Sequence, residues 1–248
     1  MAVYPVKPDH TWDFKITTYD AGRGRLLRPS NQMKLQQEAG ERHLGEAGLT
    51  YAELYRHGLA FLLTHTRSII HRAPEIDEPV RLCTWHQGTK GSRFFRCYTF
   101  TDAQGEPLIE SVSAMALVDV QTHKLLRPSA FEPFGVPENP AHTTCCPLPG
   151  KFPVPENMPA VGTRTVRWSD TDWNDHLNNT NYADILCDFV PGGLADKRIT
   201  GFAITYRQEA LEGETLAITA LEQEHTAYVS GTLDRGACFD ACLTFERR

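Results

Sequence analysis

The chain has 248 residues, 41% hydrophobic and 23% charged, a balance normal for a globular protein that can bury a sizeable core as one large domain or two ordinary ones. A formal net charge of −6 argues against a general nucleic-acid binder, yet allows a local basic patch for an acidic partner. Seven cysteines without CxxC or zinc-finger spacing point to reduced thiols in a cytoplasm, and no segment reads as a signal peptide or a bilayer span.

In chain order, Trp12 to Tyr19 reads as a strand. A helix is predicted from Pro29-Ser30 to near Gly48, with Leu35, Ala39, Leu44 and Ala47 at roughly helical spacing. Thr50-x-x-Glu53 predicts a shorter helix with a capping box, each side chain meeting the other's free backbone amide. Strands are expected at Phe61–His71, Val80–His86, Phe94–Thr101 and Leu108–Asp119, the last two around the turn Asp102-Ala103-Gln104-Gly105. Nine of the sixteen prolines fall between Pro128 and Pro159, so residues 128–160 should form an extended connector.

The pattern then repeats. A short strand is predicted at Thr165–Ser169, and a helix at Asn179–Val190 with the stripe Tyr182, Ile185, Leu186, Phe189 and a stop at Pro191-Gly192-Gly193. Strands follow at Thr200–Ala210, Thr215–Gln223, Thr226–Leu233 and Cys238–Phe245. A helix followed by antiparallel strands, twice, is an α+β pattern. A long helix wrapped by an antiparallel sheet is a hot-dog unit. Residues 1–127 and 161–248 would then form a tandem double hot-dog, an intrachain pseudo-dimer.

Polar and ionisable residues crowd the stretch from Trp168 to Tyr182, just before the second amphipathic helix. The free amides of a helix N-terminus could stabilise a developing oxyanion there. Three readings compete: a capping turn with a satisfied histidine, a calcium loop, and an acid/base site. The calcium loop fails on detail, with Asp175 where glycine belongs and Asn181 where glutamate belongs.

Here the sequence resembles the acyl-acyl-carrier-protein thioesterase family of bacteria and plant plastids, which has the double hot-dog fold. The family motif Asp-x-Asp-x-Asn-x-His-x-Asn-Asn-x-x-Tyr is matched at every position from Asp170 to Tyr182. Gln37-Glu38-Ala39 with His43, Phe61 to Thr84, Arg93 to Asp119 and Ile204 to Glu209 extend the likeness over nearly the whole chain. The resemblance implies Asp172, Asn174, His176 and Glu209 as catalytic residues. In the roles expected of them, Asp172 activates water or attacks as a nucleophile, Asn174 orients the water or the carbonyl, and His176, held by Glu209, passes protons. It implies no metal or organic cofactor. Acyl carrier protein is the implied partner of a monomer or homodimer, with neither nucleic acid nor membrane involved.

Two departures from the family pattern stand out. Ala210 replaces a cysteine often found after the glutamate, and Met115 replaces a common aromatic residue. Matching Asp20 with Asp170 sets Gly24 opposite Asn174 and Leu26 opposite His176, so the first half should carry the acyl pocket and no chemistry. Arg23, Arg25 and Arg28, with Arg164, Arg167, Lys197 and Arg198, are the candidate docking cations. A coenzyme A thioesterase, a β-hydroxyacyl dehydratase and a non-catalytic acyl-binding protein are the competing functions.

Overall fold

A computed structural model describes residues 4–248. Ten strands form one antiparallel sheet in the order β1-β3-β4-β5-β2-β7-β10-β9-β8-β6. The first half contributes β1 (Asp9–Lys15), α1 (Pro29–Gly45), α2 (Tyr51–Arg56), β2 (Leu59–Ile70), β3 (Pro79–Lys90), β4 (Arg93–Thr101) and β5 (Pro107–Asp119). The second contributes β6 (Ala160–Thr165), α3 (Asn181–Asp188), β7 (Lys197–Tyr206), β8 (Thr215–Gln223), β9 (Thr226–Leu233) and β10 (Gly236–Arg247). The strand order reads the same outward from the centre in both directions, so the halves are two hot-dog units joined where β2 meets β7.

That seam runs from His65 opposite Thr205 to Ile69 opposite Gly201. A Cβ at Gly201 would stand 2.6 Å from the Ser68 carbonyl oxygen, so glycine lets the two backbones close. One apolar cluster spans both halves, from Ile16, Met33 and Tyr98 to Tyr182, Ile204 and Phe239.

Burial along the strands follows what covers them. β8 alternates exposed and buried over most of its length, with one face in water. β4 and β5 are buried on both faces over most of theirs. α1 covers one face; the connector covers the other, where Cys146 joins Trp85, Phe95, Cys97, Val112 and Ala114. The connector is therefore more than an extended spacer. It forms short 3-10 turns at Pro128–Ala130 and Glu132–Phe134, then docks through Asn139 N to His86 O at 2.8 Å and a His142–Trp85 stack at 3.9 Å.

Local expectations shift at several places, among them the strand predicted at Trp12–Tyr19, which runs over Asp9–Lys15. The strand placed at Thr165–Ser169 lies earlier, as β6, because Trp168–Asp170 closes into a 3-10 turn around the Asp170 carboxylate. Thr50 caps α2 through Glu53 N at 3.2 Å, but the Glu53 carboxylate is drawn to Tyr4 Oη at 2.8 Å, and half the capping box forms. The buried stripe of α1 is Gln32, Gln36, Gly40 and His43 alongside Met33 and Ala39, while Leu35 and Leu44 are only half-buried. Gln32 and His43 find partners that a hydropathy pattern cannot show: Gln32 Nε2 donates to Ser68 Oγ and His43 Nε2 to the Lys7 carbonyl, both at 2.8 Å, while neighbouring Asn31 Nδ2 donates to the Tyr19 and Asp20 carbonyls. Among the described residues, no helix is long and apolar enough to cross a membrane.

Candidate active site

The loop before α3 is built on Asp170, which is buried. Its carboxylate accepts from Arg167 N at 2.8 Å and pairs with Arg164 Nη2 at 2.6 Å. Its carbonyl oxygen accepts from Asn178 N and Asn181 Nδ2, both at 2.9 Å, which ties the far end of the loop back to its start. Asp170 is thus a structural post of the loop, satisfied within the protein.

Between those ties the chain makes a tight reversal. Asp172 N donates to His176 O at 2.8 Å, and Asp175 takes the left-handed conformation (φ 63°) that aspartate tolerates better than most residues. Asp172 Oδ1 accepts from Asn174 N at 2.8 Å, which fixes the carboxylate against the turn. Asn178 Oδ1 takes Thr180 N and Oγ1 and leads into α3. The side-chain amides of Asn174 and Asn179 have no hydrogen-bond partner among the described residues.

Asp172, Trp173, Asn174, Asn178 and Asn179 line part of a cavity of about 310 Å³. The cavity itself lies in the other half, between α1 and the inner face of β4 and β5. Leu44, Leu49, Leu54, Phe61, Phe94 and Phe131 form much of its apolar wall. Trp173 packs edge-on against Tyr51 of α2 at 4.7 Å, stapling the second half's loop over the first half's cavity. Burial, then Tyr55 and the Asp172 charge, push the Tyr51 hydroxyl pKa upward. The candidate site is therefore composite, with Asp172, Asn174, Asn178 and Asn179 from one unit and most of the cavity wall from the other.

His176 and Glu209 are neighbours through their backbones. His176 bridges Leu211, and Leu177 N donates to Ala210 O at 2.7 Å. Among the described residues no hydrogen bond or ion pair joins the two side chains, and neither lines the cavity, contrary to the expectation that Glu209 holds His176. The reason is local: β7 ends at Tyr206, so Glu209 sits on an irregular segment pinned by main-chain bonds, with its side chain exposed.

The docking cations also separate. Lys197 is 4% exposed and spends its ammonium on Glu222, Asp196 and the Pro191 and Gly193 carbonyls. Arg164 is held by Asp170 and Arg198 by Glu246. Arg23, Arg25, Arg28 and Arg167 are exposed and carry no ion pair among the described residues.

Sequence reasoning missed the polar wall of the cavity, made by Gln36, Arg96, Tyr98 and Ser113. The signal was the alternation Phe94-x-Arg96-x-Tyr98 in a strand otherwise apolar on both faces.

Residues 7–129 match the acyl-ACP thioesterase N-terminal domain, and residues 157–237 match the acyl-ACP thioesterase C-terminal domain. The chain belongs to the acyl-ACP thioesterase family. It is 26% identical over 237 residues to the chloroplastic acyl-carrier-protein hydrolase FATB2 of Cuphea viscosissima, covering 88% of this chain and 56% of that protein. The chain spans about half the length of the curated relatives it matches. An acyl-ACP thioesterase from Bacteroides thetaiotaomicron shares the fold with a TM-score of 0.85 at 19% identity, covering 96% of this chain and 98% of that one. The 12:0-ACP thioesterase of Umbellularia californica does so with a TM-score of 0.80 at 18% identity, covering 98% of each chain. These likenesses establish the double hot-dog architecture.

Proposed function

We propose that the protein hydrolyses the thioester of fatty acyl-acyl carrier protein, releasing a free fatty acid and the carrier thiol. The observation that carries this is that Asp172 and Asn174 line a cavity whose wall is largely apolar. A thioester has a good leaving group, so hydrolysis needs an activated water and a stabilised oxyanion. Asp172 takes the proton of a water that attacks the carbonyl carbon. The Asn174 and Asn179 side chains, whose amide donors are uncommitted, hold the oxyanion. The C–S bond then breaks, and the proton that Asp172 took from the water returns to the departing sulfur. His176 and Glu209, which do not line the cavity, brace the loop through the His176–Leu211 and Leu177–Ala210 backbone contacts.

Family membership and the match from Asp170 to Tyr182 support this assignment. Thiol release, followed with a chromogenic thiol reagent on acyl chains carried by carrier protein or coenzyme A, tests it. Turnover on carrier protein that collapses in a folded Asp172→Ala variant is the expected result. Turnover confined to coenzyme A esters would shift the reading to an acyl-CoA thioesterase.

A further inference from the structure

The cavity holds a buried cation that no carboxylate answers. Arg96 is 7% exposed, and among the described residues its side chain reaches only His43 Nδ1 at 3.0 Å and Thr84 Oγ1 at 3.3 Å, both through Nη1. His43 supplies no counter-charge. Its Nε2 donates to the Lys7 carbonyl at 2.8 Å, and burial together with the Arg96 charge brings its pKa down to about 4. Glu41, which also lines the cavity, is exposed and accepts from Gln37 at 2.9 Å. A guanidinium offers five donors, so most of those on Arg96 remain unspent.

A second unspent donor lies nearby. Gln36 is 3% exposed, lines the same cavity, and its Nε2 has no partner among the described residues. Gly40 follows one helical turn later on the same face. The Arg96 Cδ and Nε lie 3.4 and 3.7 Å from where a Cβ at Gly40 would stand, so the arginine stem runs along the face that carries Gln36. Buried polar groups are normally satisfied, and a buried charge without a partner is strongly unfavourable.

We infer that Arg96 and Gln36 form a subsite for an acceptor oxygen on the acyl chain, so that the preferred substrates are oxygenated acyl thioesters rather than plain saturated ones. The inference rests on the reading that this cavity receives the acyl chain. The Arg96 guanidinium has donors alone and Gln36 Nε2 is a donor without a partner, so the atom the two share must be an acceptor. A hydroxyl, ketone or carboxylate oxygen qualifies, and a methylene does not. A site built to hydrogen-bond an oxygen rejects the analogue lacking it far more strongly than an apolar pocket rejects one methylene.

The test compares kcat/KM on carrier-protein thioesters of one chain length: unsubstituted, 3-hydroxy, 3-oxo and ω-carboxy. At least one oxygenated chain should be preferred by about tenfold or more, and the winning arm identifies the oxygen. That preference should fall about tenfold in Arg96→Met and in Gln36→Leu. The second variant keeps the test decisive if the first does not fold. Equal rates on all four chains would overturn the inference, as would a preference that survives in both variants, since the donors would then serve only bound water. Hydrolysis of none of the four would count against the thioesterase reading instead. The subsite would then be judged by calorimetry of the corresponding free acids. Tighter binding of an oxygenated acid, lost in Gln36→Leu, sustains it, and equal binding refutes it.

Discussion

Leu26 and His176 occupy equivalent places in the two halves. Each bridges the segment between the next two strands, Leu26 to Glu75 and His176 to Leu211. Each accepts at its carbonyl oxygen the amide of Gly22 or Asp172, at 2.9 and 2.8 Å. Arg28 N and Asn178 N reach the carbonyls of Asp20 and Asp170, and so do the side chains of Asn31 and Asn181. One loop scaffold is thus built twice. It carries Asp172, Asn174 and His176 in one copy, and Gly22, Gly24 and Leu26 in the other.

Scaffold and chemistry should therefore come apart by mutation. Asp172→Asn is expected to lower kcat by a hundredfold or more, about 3 kcal/mol of activation free energy, with an unchanged Tm. Asp170→Ala should instead lower stability by about 1–3 kcal/mol, because Arg164 and Arg167 N lose their buried acceptor. Urea titration and steady-state kinetics on both variants distinguish the two roles. Equal loss of stability in both would refute the division.

The apolar wall should set acyl chain length. Met115→Trp fills space beside Leu63 and Phe94 and is expected to favour shorter chains. Phe131→Ala, at a wall residue packed on Phe61 and Phe94, should favour longer ones. Each methylene gained or lost discriminates by about 1–3 kcal/mol, visible as a shift in the product profile. An unchanged profile in both folded variants would remove the cavity from the acyl path.

Acid should destabilise the fold through histidines kept neutral. Burial, and then Arg96 for His43 and Arg93 for His65, pushes both side chains down to about 4. Above about pH 6.5 the folded and unfolded forms are alike in leaving these rings uncharged. Between about 6.5 and 4 the unfolded chain binds protons that the folded chain refuses, so stability falls with pH across that window and levels off below it. The loss is of order 2 kcal/mol per ring by pH 4. Urea midpoints at pH 7.5 and 5 should show it, and His43→Gln should flatten the slope.

Catalysis should survive cysteine modification. None of the seven cysteines lines the cavity, and burial pushes the Cys97, Cys146 and Cys187 thiols up to about 12. Cys145 is exposed and should react first, although burial and the Glu110 carboxylate raise its thiol to about 11. Brief alkylation at pH 7.5, mapped by mass spectrometry, is expected to label Cys145 and leave hydrolysis intact. Inactivation that tracks any single cysteine would demand another mechanism.

Recruitment of an acidic carrier should depend on Arg167, which is exposed and precedes Asp172 by five residues, with Arg23, Arg25 and Arg28 as further candidates. Arg167→Glu should raise KM for acyl carrier protein several-fold and spare short acyl-pantetheine substrates, an effect that salt weakens. Lys197→Glu should lower stability instead, since its ammonium is buried against Glu222. A Lys197 effect on KM alone would reverse this ranking.

Much of this was legible in the residues. The strand succession, the helix start at Pro29 and the loop before α3 follow from periodicity, proline chemistry and the spacing of Asp, Asn and His. The equivalence of Leu26 and His176 also emerges from matching Asp20 to Asp170. What stayed hidden depends on three-dimensional partners. The inward face of α1 carries Gln32 and His43 because Ser68 of β2 and the Lys7 carbonyl accept from them, and Gln36 where the cavity lies. Arg96 is unremarkable until its strand is seen covered on both sides. That Asp172 serves a cavity in the other half follows only from the crossing of the two units, where Trp173 meets Tyr51.

The seam between β2 and β7 has a consequence for how this molecule can change. In a symmetric pair of identical subunits, every substitution is made twice, and a residue that harms one site must be tolerated at both. Here the two units are covalently one chain, and the His65–Ile69 pairing holds them in register regardless of dilution. Each unit is free to give up what the other retains. The first carries Gly22, Gly24 and Leu26 on its loop and supplies most of the cavity wall. The second has a central helix of only 8 residues, with Tyr182 edge-on to Phe239, and carries Asp172, Asn174 and His176 on its loop.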